Sequence, residues 1–371
     1  MSSQENDLIQ TVDDLHFYLI QAMKIEHATI PPYITALYSI KPGSNVEALE
    51  IIRSVAVEEM LHLTLAANVF NAVGGDIKST LTGNDFIPQY PTRLPTGETD
   101  FEVGLAKFSP ETIATFLKIE RAKEVDEGKP IVGSRPHQNY VISIRDRDPE
   151  YSFYSIGLFY AEIIRGMYAL HKEMGNALFC GDPGRQITPE YYYDGAGDII
   201  KVNDLDSAIR ALTIIQEQGE GSRIGKIYDA EKLLSHYYRF EQLMFNQENG
   251  QDVTNGQYYV VDQERPSQSD KPEHPTGGTF TVDWGAVYPL KENAKLSDYS
   301  GQPELHQAAQ DFQSAYSNFL AEIENSFDGH PEALLPAVGG MFKLKYQAER
   351  LIKNPIVGLD GVNAAPVFRL D

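Results

Sequence analysis

Two long apolar stretches, LIQAMKIEHATIPPYITALYSI and IIRSVAVEEMLHLTLAANVF, each carry a carboxylate in the middle of their apolar face. The same-face neighbours of Glu26 are Leu19, Ala22, Met23, Thr29, Ile30 and Tyr33; those of Glu59 are Ile52, Val55, Ala56, Leu63 and Ala66. An ionised carboxylate on a core face is costly unless it is paired, hydrogen-bonded or bound to a cation, so the fold must bring each a partner. The stretches are joined by the breaker-rich turn KPGSN, with Glu26 and Glu59 about 17 and 16 residues from its centre, roughly 25 Å along each helix. An antiparallel hairpin therefore sets them at one level. His62 follows Glu59 by three residues, and Glu-x-x-His places two ligands on one face.

The periodicity predicts a first helix over 13–38 and a second over 46–73, ended by Gly74-Gly75. Residues 76–150 are rich in Pro, Gly and Thr and read as a long crossover, interrupted by a capped short helix from Ser109-Pro110-Glu111 to about Ala122. A third long helix is expected over 152–179, with an apolar seam at Phe153, Ile156, Tyr160, Ile163, Met167, Leu170 and Met174. A fourth begins near Asp204, breaks at GEGSRIG and resumes over 229–246 with Leu233 and Phe240 on its apolar stripe. The remainder contains a short strand at TFTVDW and two helices, 303–327 and 331–352. This is an all-α chain: a four-helix bundle over 1–250 with an insert at 76–150, and a loop-rich segment with a two-helix extension over 251–371 that packs on it.

Applying the level test to the second pair of helices places Glu162, about 18 residues before the turn near Cys180, opposite Glu220, about 16 residues after Asp204. With His236 the inventory becomes Glu26, Glu59, His62, Glu162, Glu220 and His236. This is the donor set of a di-iron or di-manganese carboxylate bundle, with one Glu-x-x-His split by the glycine-rich break. Carboxylate and imidazole donors suit iron, manganese or zinc, in one or two ions, and open positions admit dioxygen or peroxide. Each residue has a plainer reading. Glu26 could pair with a buried base, and Glu59 with His62 could be a polar pair at the core edge. Glu162 could pair with Arg165, Glu220 could be a turn residue that Glu217 replaces, and His236 could be a satisfied core histidine. Glu58 lies one residue from Glu59 among similar neighbours, so it competes for the same role. Tyr33, Tyr160 and Tyr237 are candidates to line a pocket or supply an electron or proton, with core packing as the alternative. Pro31 and Pro32 remove the hydrogen bonds to the carbonyls of His27 and Ala28, so a local helix distortion is expected beside the site.

A net charge of −22 and a pI near 4.8 argue against nucleic-acid binding or attraction to anionic membranes, and would draw in cations. The single cysteine, Cys180, excludes an intrachain disulfide and any cysteine-built metal site, which fits a reducing cytoplasm. No signal-like segment or run of 18 apolar residues occurs, so a cytoplasmic protein is expected. Assembly into a homo-oligomer is left open.

The strings IEHATIPPYITALYSI, SVAVEEMLHLTLAANVFNAVGG, SIGLFYAEI, IIQEQGEG and SHYYRFEQL resemble the ferritin-like domain of the iminophenyl-pyruvate dimer synthase type, found in biosynthetic proteins for bisindole pigments such as violacein and rebeccamycin. The similarity runs over most of 10–250, and AVGGMFKLKYQAERL and NAAPVFRL extend it. It implies a ferritin-like bundle with a non-haem metal site and, in the pigment enzymes, oxidative coupling of amino-acid-derived imines. Glu26, Glu59, His62, Glu220 and His236 fall on matching motifs. Glu162 does not carry over cleanly, because Ala161 stands where an acid is common. The expectation is a metal-dependent oxidoreductase acting on a small organic substrate in specialised metabolism; the alternatives are iron storage and a non-catalytic scaffold.

Overall fold

In the first helix a capping box starts the element: Thr11 accepts from the Asp14 amide while the Asp14 carboxylate receives the Thr11 amide. In the computed structural model, helix α1 spans Val12–Ser39 and α2 spans Val46–Ala72, packed antiparallel. The structure describes residues 8–95, 101–121, 132–134, 151–153, 155–193, 195, 197–220, 233–248, 254–260 and 275–370, with side chains excluded at 132–134, 151–153, 220, 247 and 248.

Helix α1 continues unbroken through Pro31-Pro32. Pro32 leaves the Ala28 carbonyl without its helical donor, and the Tyr90 hydroxyl supplies one at 2.7 Å. The distortion expected there is thus offset by a hydrogen bond from the crossover segment. The helix α3, Pro110–Ile119, is capped by the Ser109 hydroxyl, which accepts from the Thr112 amide.

Helix α4, Ile156–Met174, starts four residues later than the sequence suggests, because Tyr151–Phe153 (β2) pairs antiparallel with Val132–Ser134 (β1) and Ser155 then caps the helix. It packs on α5, Leu205–Glu220, and on α1. The last bundle helix, α6, runs His236–Glu248 and lies against α3, α2 and α5. Leu233 is not on its apolar stripe: it precedes the helix and is about half exposed. The GEGSRIG break, apart from Gly219 and Glu220 of α5, lies outside the described residues.

Two short strands, β3 at Asn255–Gln257 and β4 at Thr279–Thr281, pair beyond α6. Helices α7, Pro303–Phe327, and α8, Leu334–Ile352, form a second hairpin that packs on α1 and α2. The segment leading to them laces the end of the first hairpin. Asn45, at a φ of 49°, exchanges two hydrogen bonds with the Asp283 backbone, and Tyr288 donates its amide to the Ser39 carbonyl. One apolar core runs from Ile9 to Phe368 across bundle and extension.

Candidate metal centre

At mid-height of the bundle, five side chains that could hold a cation converge, none more than 4% exposed: Glu26, Glu59, His62, Glu120 and His236. They form two overlapping triads, Glu26–Glu59–His62 and Glu59–Glu120–His236. Glu59 belongs to both, and its two oxygens divide between them. Oε2 lies 3.4 Å from His62 Nδ1 and Oε1 lies 3.1 Å from His236 Nδ1.

The two halves repeat one pattern. Glu26 offers Oε2 to His62 Nδ1 at 3.2 Å and accepts the Tyr160 hydroxyl proton on Oε1. Glu120 offers Oε2 to His236 Nδ1 at 3.4 Å and accepts the Tyr33 hydroxyl proton on Oε1. Each outer carboxylate is therefore fixed on one oxygen by a tyrosine and free to ligate with the other. The imidazoles stack, ring centroids 5.4 Å apart, and each has its far nitrogen engaged: His62 Nε2 with Gln218 Oε1 at 2.8 Å, His236 Nε2 with Glu58 Oε2 at 2.9 Å. Glu58 is anchored in turn by Arg239 Nη1 at 2.6 Å. Outer partners of this kind hold an N–H on Nε2, which leaves Nδ1 as the nitrogen that would ligate a cation once its proton is lost.

Burial and mutual repulsion shape the protonation of the cluster. Glu59 is pushed up to about 7, first by burial and then by the Glu120 charge. For Glu26, burial acts upward, but the hydrogen bond and charge of His62 outweigh it and hold the carboxyl below its usual range. Burial acts downward on both imidazoles, yet the surrounding carboxylates raise His62 to about 10 and hold His236 well above its usual value. The Tyr33 and Tyr160 hydroxyls are pushed well above theirs, by burial first and by the Glu120 and Glu26 charges respectively.

A cation fits this donor set on one observation in particular: His236 Nδ1 is buried with no hydrogen-bond partner, although oxygens of Glu59 and Glu120 flank it. A metal bound by those three atoms would satisfy it. Nitrogen and oxygen donors without sulfur match iron, manganese or zinc. A small cavity of about 310 Å³ opens beside the cluster, walled by Ile119, Ile156, Gly157, Ile215, Gln216 and Gly219.

Of the candidates from sequence, the structure brings together Glu26, Glu59, His62 and His236, with Tyr33 and Tyr160 bonded to cluster carboxylates. Glu162 is elsewhere. Two residues, or about 200° of helical rotation, separate it from Tyr160, so it faces away from the cluster. Its carboxylate accepts the Leu8 and Ile9 amides at 3.0 and 3.2 Å and pairs with Arg165 at 2.7 Å. Glu220 ends α5, and its side chain lies outside the described residues. Glu217 is half-buried; its neighbour Gln218 is the residue that meets His62. Tyr237 packs edge-on against Tyr238.

Glu120 is the residue that sequence reasoning missed, because the level test considered only the long helices. A signal was present: Glu120 follows Ile113 by seven residues and Phe116 by four, so it sits on the apolar face of α3, the same anomaly as Glu26 and Glu59. Glu58 and Glu59 both have roles, on different sides of His236.

Among known proteins, the chain is similar over 341 residues, at 22% identity, to dichlorochromopyrrolate synthase from Lentzea aerocolonigenes. That alignment covers 85% of this chain but 29% of the relative's length. Its fold is similar to a ferritin-like protein from Caulobacter vibrioides, with a TM-score of 0.61 at 20% identity, covering 98% of this chain and 99% of the other. The ferritin-like family pattern matches residues 19–245, well over half of the sequence, and the chain belongs to that family.

Proposed function

We propose that the chain is a non-haem metal-dependent oxidoreductase whose cluster binds two ions, iron in the first instance, and acts on a small organic substrate with dioxygen or peroxide. The observation that carries this reading is Glu59, whose two oxygens are shared between two Glu/His triads as a bridging ligand requires. A redox-active metal pair there would supply the electrons needed to use dioxygen as an oxidant. The protein's own contribution is positional. Tyr33 and Tyr160 hold the outer carboxylates, Gln218 and Glu58 orient the imidazoles, and Ile119, Ile156 and Ile215 give the cavity beside the cluster an apolar wall.

Similarity to a synthase that builds a small organic molecule supports a biosynthetic substrate over iron storage, as does a cavity beside the cluster. Because the chain spans 29% of that relative, the relative's reaction is not carried over.

Metal analysis of protein purified without chelator and reconstituted anaerobically with iron(II) tests the reading. About two ions per chain are expected, falling to near zero in Glu59→Ala because the shared ligand serves both positions. Iron content that is negligible in the wild type, or unchanged in Glu59→Ala and His62→Ala, would refute it. Iron accumulating far beyond two per chain would point to storage.

A further inference from the structure

A second cavity lies between the first hairpin and the α7–α8 hairpin, with about 740 Å³ of empty space, part of it open to solvent. It shares no lining residue with the cavity beside the metal centre. His27 and Ile34 line it from a face of α1 rotated by roughly 80–100° from Glu26, and Met60 from a face of α2 rotated by roughly 100° from Glu59. Facing them are Phe312, Tyr316 and Phe319 of α7.

Two features say what this space would take. No Asp, Glu, Lys or Arg lines it, so a charged ligand would lose its hydration without compensation. Two polar groups lining it are nevertheless unfinished, His27 Nδ1 and the Tyr193 hydroxyl. His27 is 2% exposed, its Nε2 meets the Tyr316 hydroxyl at 2.6 Å, and its Nδ1 has no hydrogen-bond partner. A phenol is the better donor and an imidazole nitrogen the better acceptor, so Tyr316 donates to Nε2 and the proton of the neutral ring sits on Nδ1. An N–H left without a partner in the wall of an apolar cavity is costly, and a ligand oxygen reaching it would satisfy it.

We propose that this cavity is a second small-molecule site, separate from the metal centre, for a neutral aromatic compound that presents a carbonyl or similar oxygen acceptor to His27 Nδ1. The aromatic walls provide stacking and apolar area, and His27 Nδ1 with the Tyr193 hydroxyl fixes orientation, which is the usual division of labour in ligand pockets. The inference does not depend on the metal centre being catalytic.

Prodan, a neutral naphthalene ketone whose emission reports polarity and hydrogen bonding, is a suitable probe for titration of the full chain. Saturable binding of one prodan per chain is expected, with emission shifted to the blue of that in water. Leu320→Trp, which fills the cavity, should abolish binding. His27→Phe, which keeps the ring and removes the donor, should weaken it on the order of tenfold. Thermal melts and iron content of both variants establish that they are folded and that the metal centre is intact. Were either variant misfolded, Met341→Trp, filling the cavity from α8, replaces it in the comparison. Absence of saturable binding, or equal affinity in wild type and cavity-filling variants, would overturn the site. Unchanged affinity in His27→Phe would overturn the assigned ligand chemistry.

Discussion

Metal loading should expel protons, because groups that would ligate hold protons in the metal-free cluster. Ligation through Nδ1 requires neutral imidazoles, whereas in the metal-free cluster His62 titrates at about 10 and His236 is held well above its usual value, so both carry a proton at pH 7. Glu59, at about 7, is half protonated there, and Glu26, held below its usual range, carries none. Filling both positions at pH 7 should therefore release about two protons per chain from the imidazoles, with a further contribution from Glu59 that grows as pH falls. The sign follows directly. Groups whose protons must leave hold them more tightly as pH falls, so affinity is lost on acidification and gained as pH rises through 7. Overall binding should strengthen by about two to three decades per pH unit around neutrality. Calorimetric titration with zinc(II), a probe without redox chemistry, in two buffers of different ionisation enthalpy measures the release. His62→Ala should reduce it by about one. A wild-type release near zero would mean that the imidazoles are not ligands or are already neutral, and the account of the cluster would fail.

Other expected outcomes separate the roles assigned above. Glu58→Gln removes the carboxylate behind His236 but nothing behind His62, so one of the two metal positions should weaken by about 10–100-fold while the other is unchanged, read as a biphasic titration. Tyr90→Phe leaves the Ala28 carbonyl beneath Pro32 without a donor and should cost about 1–3 kcal/mol in denaturant unfolding, with no loss of bound metal. Glu162→Gln should leave metal stoichiometry at its wild-type value and lower stability by about 1–2 kcal/mol, because it weakens the tie between the N-terminal segment, Arg165 and α4. Loss of a metal ion in that variant would restore Glu162 as a ligand.

The long helices were legible because their signals are local. Apolar period, the Thr11 and Ser109 caps and the KPGSN turn all act within a few residues, and the structure places α1, α2, α7 and most of α8 within a few residues of the expected bounds. The meeting of Glu26 with Glu59 was legible for a related reason: in an antiparallel hairpin, equal distance from the turn means equal height. That argument loses force as soon as an element outside the hairpin contributes. Equal height also says nothing about rotation. Glu162 has the right level, but Tyr160 takes the inward position on α4, and one face of a helix cannot present both.

The second outer carboxylate comes instead from the crossover, where Glu120 at the end of α3 stands in relation to His236 as Glu26 does to His62. The relation extends to the tyrosines, since Tyr33 of α1 secures Glu120 and Tyr160 of α4 secures Glu26. It ends at the imidazoles' far nitrogens, where a neutral amide backs His62 and a carboxylate backs His236. A carboxylate behind an imidazole makes it a stronger donor, so two ions held by these triads would occupy chemically unequal positions despite nearly matching side chains. Ions bound at unequal positions would be expected to load in order. The difference comes from one residue, Glu58, which sits beside Glu59 on the same helix, so the carboxylate shared by both triads and the one behind His236 are set by a single turn of α2.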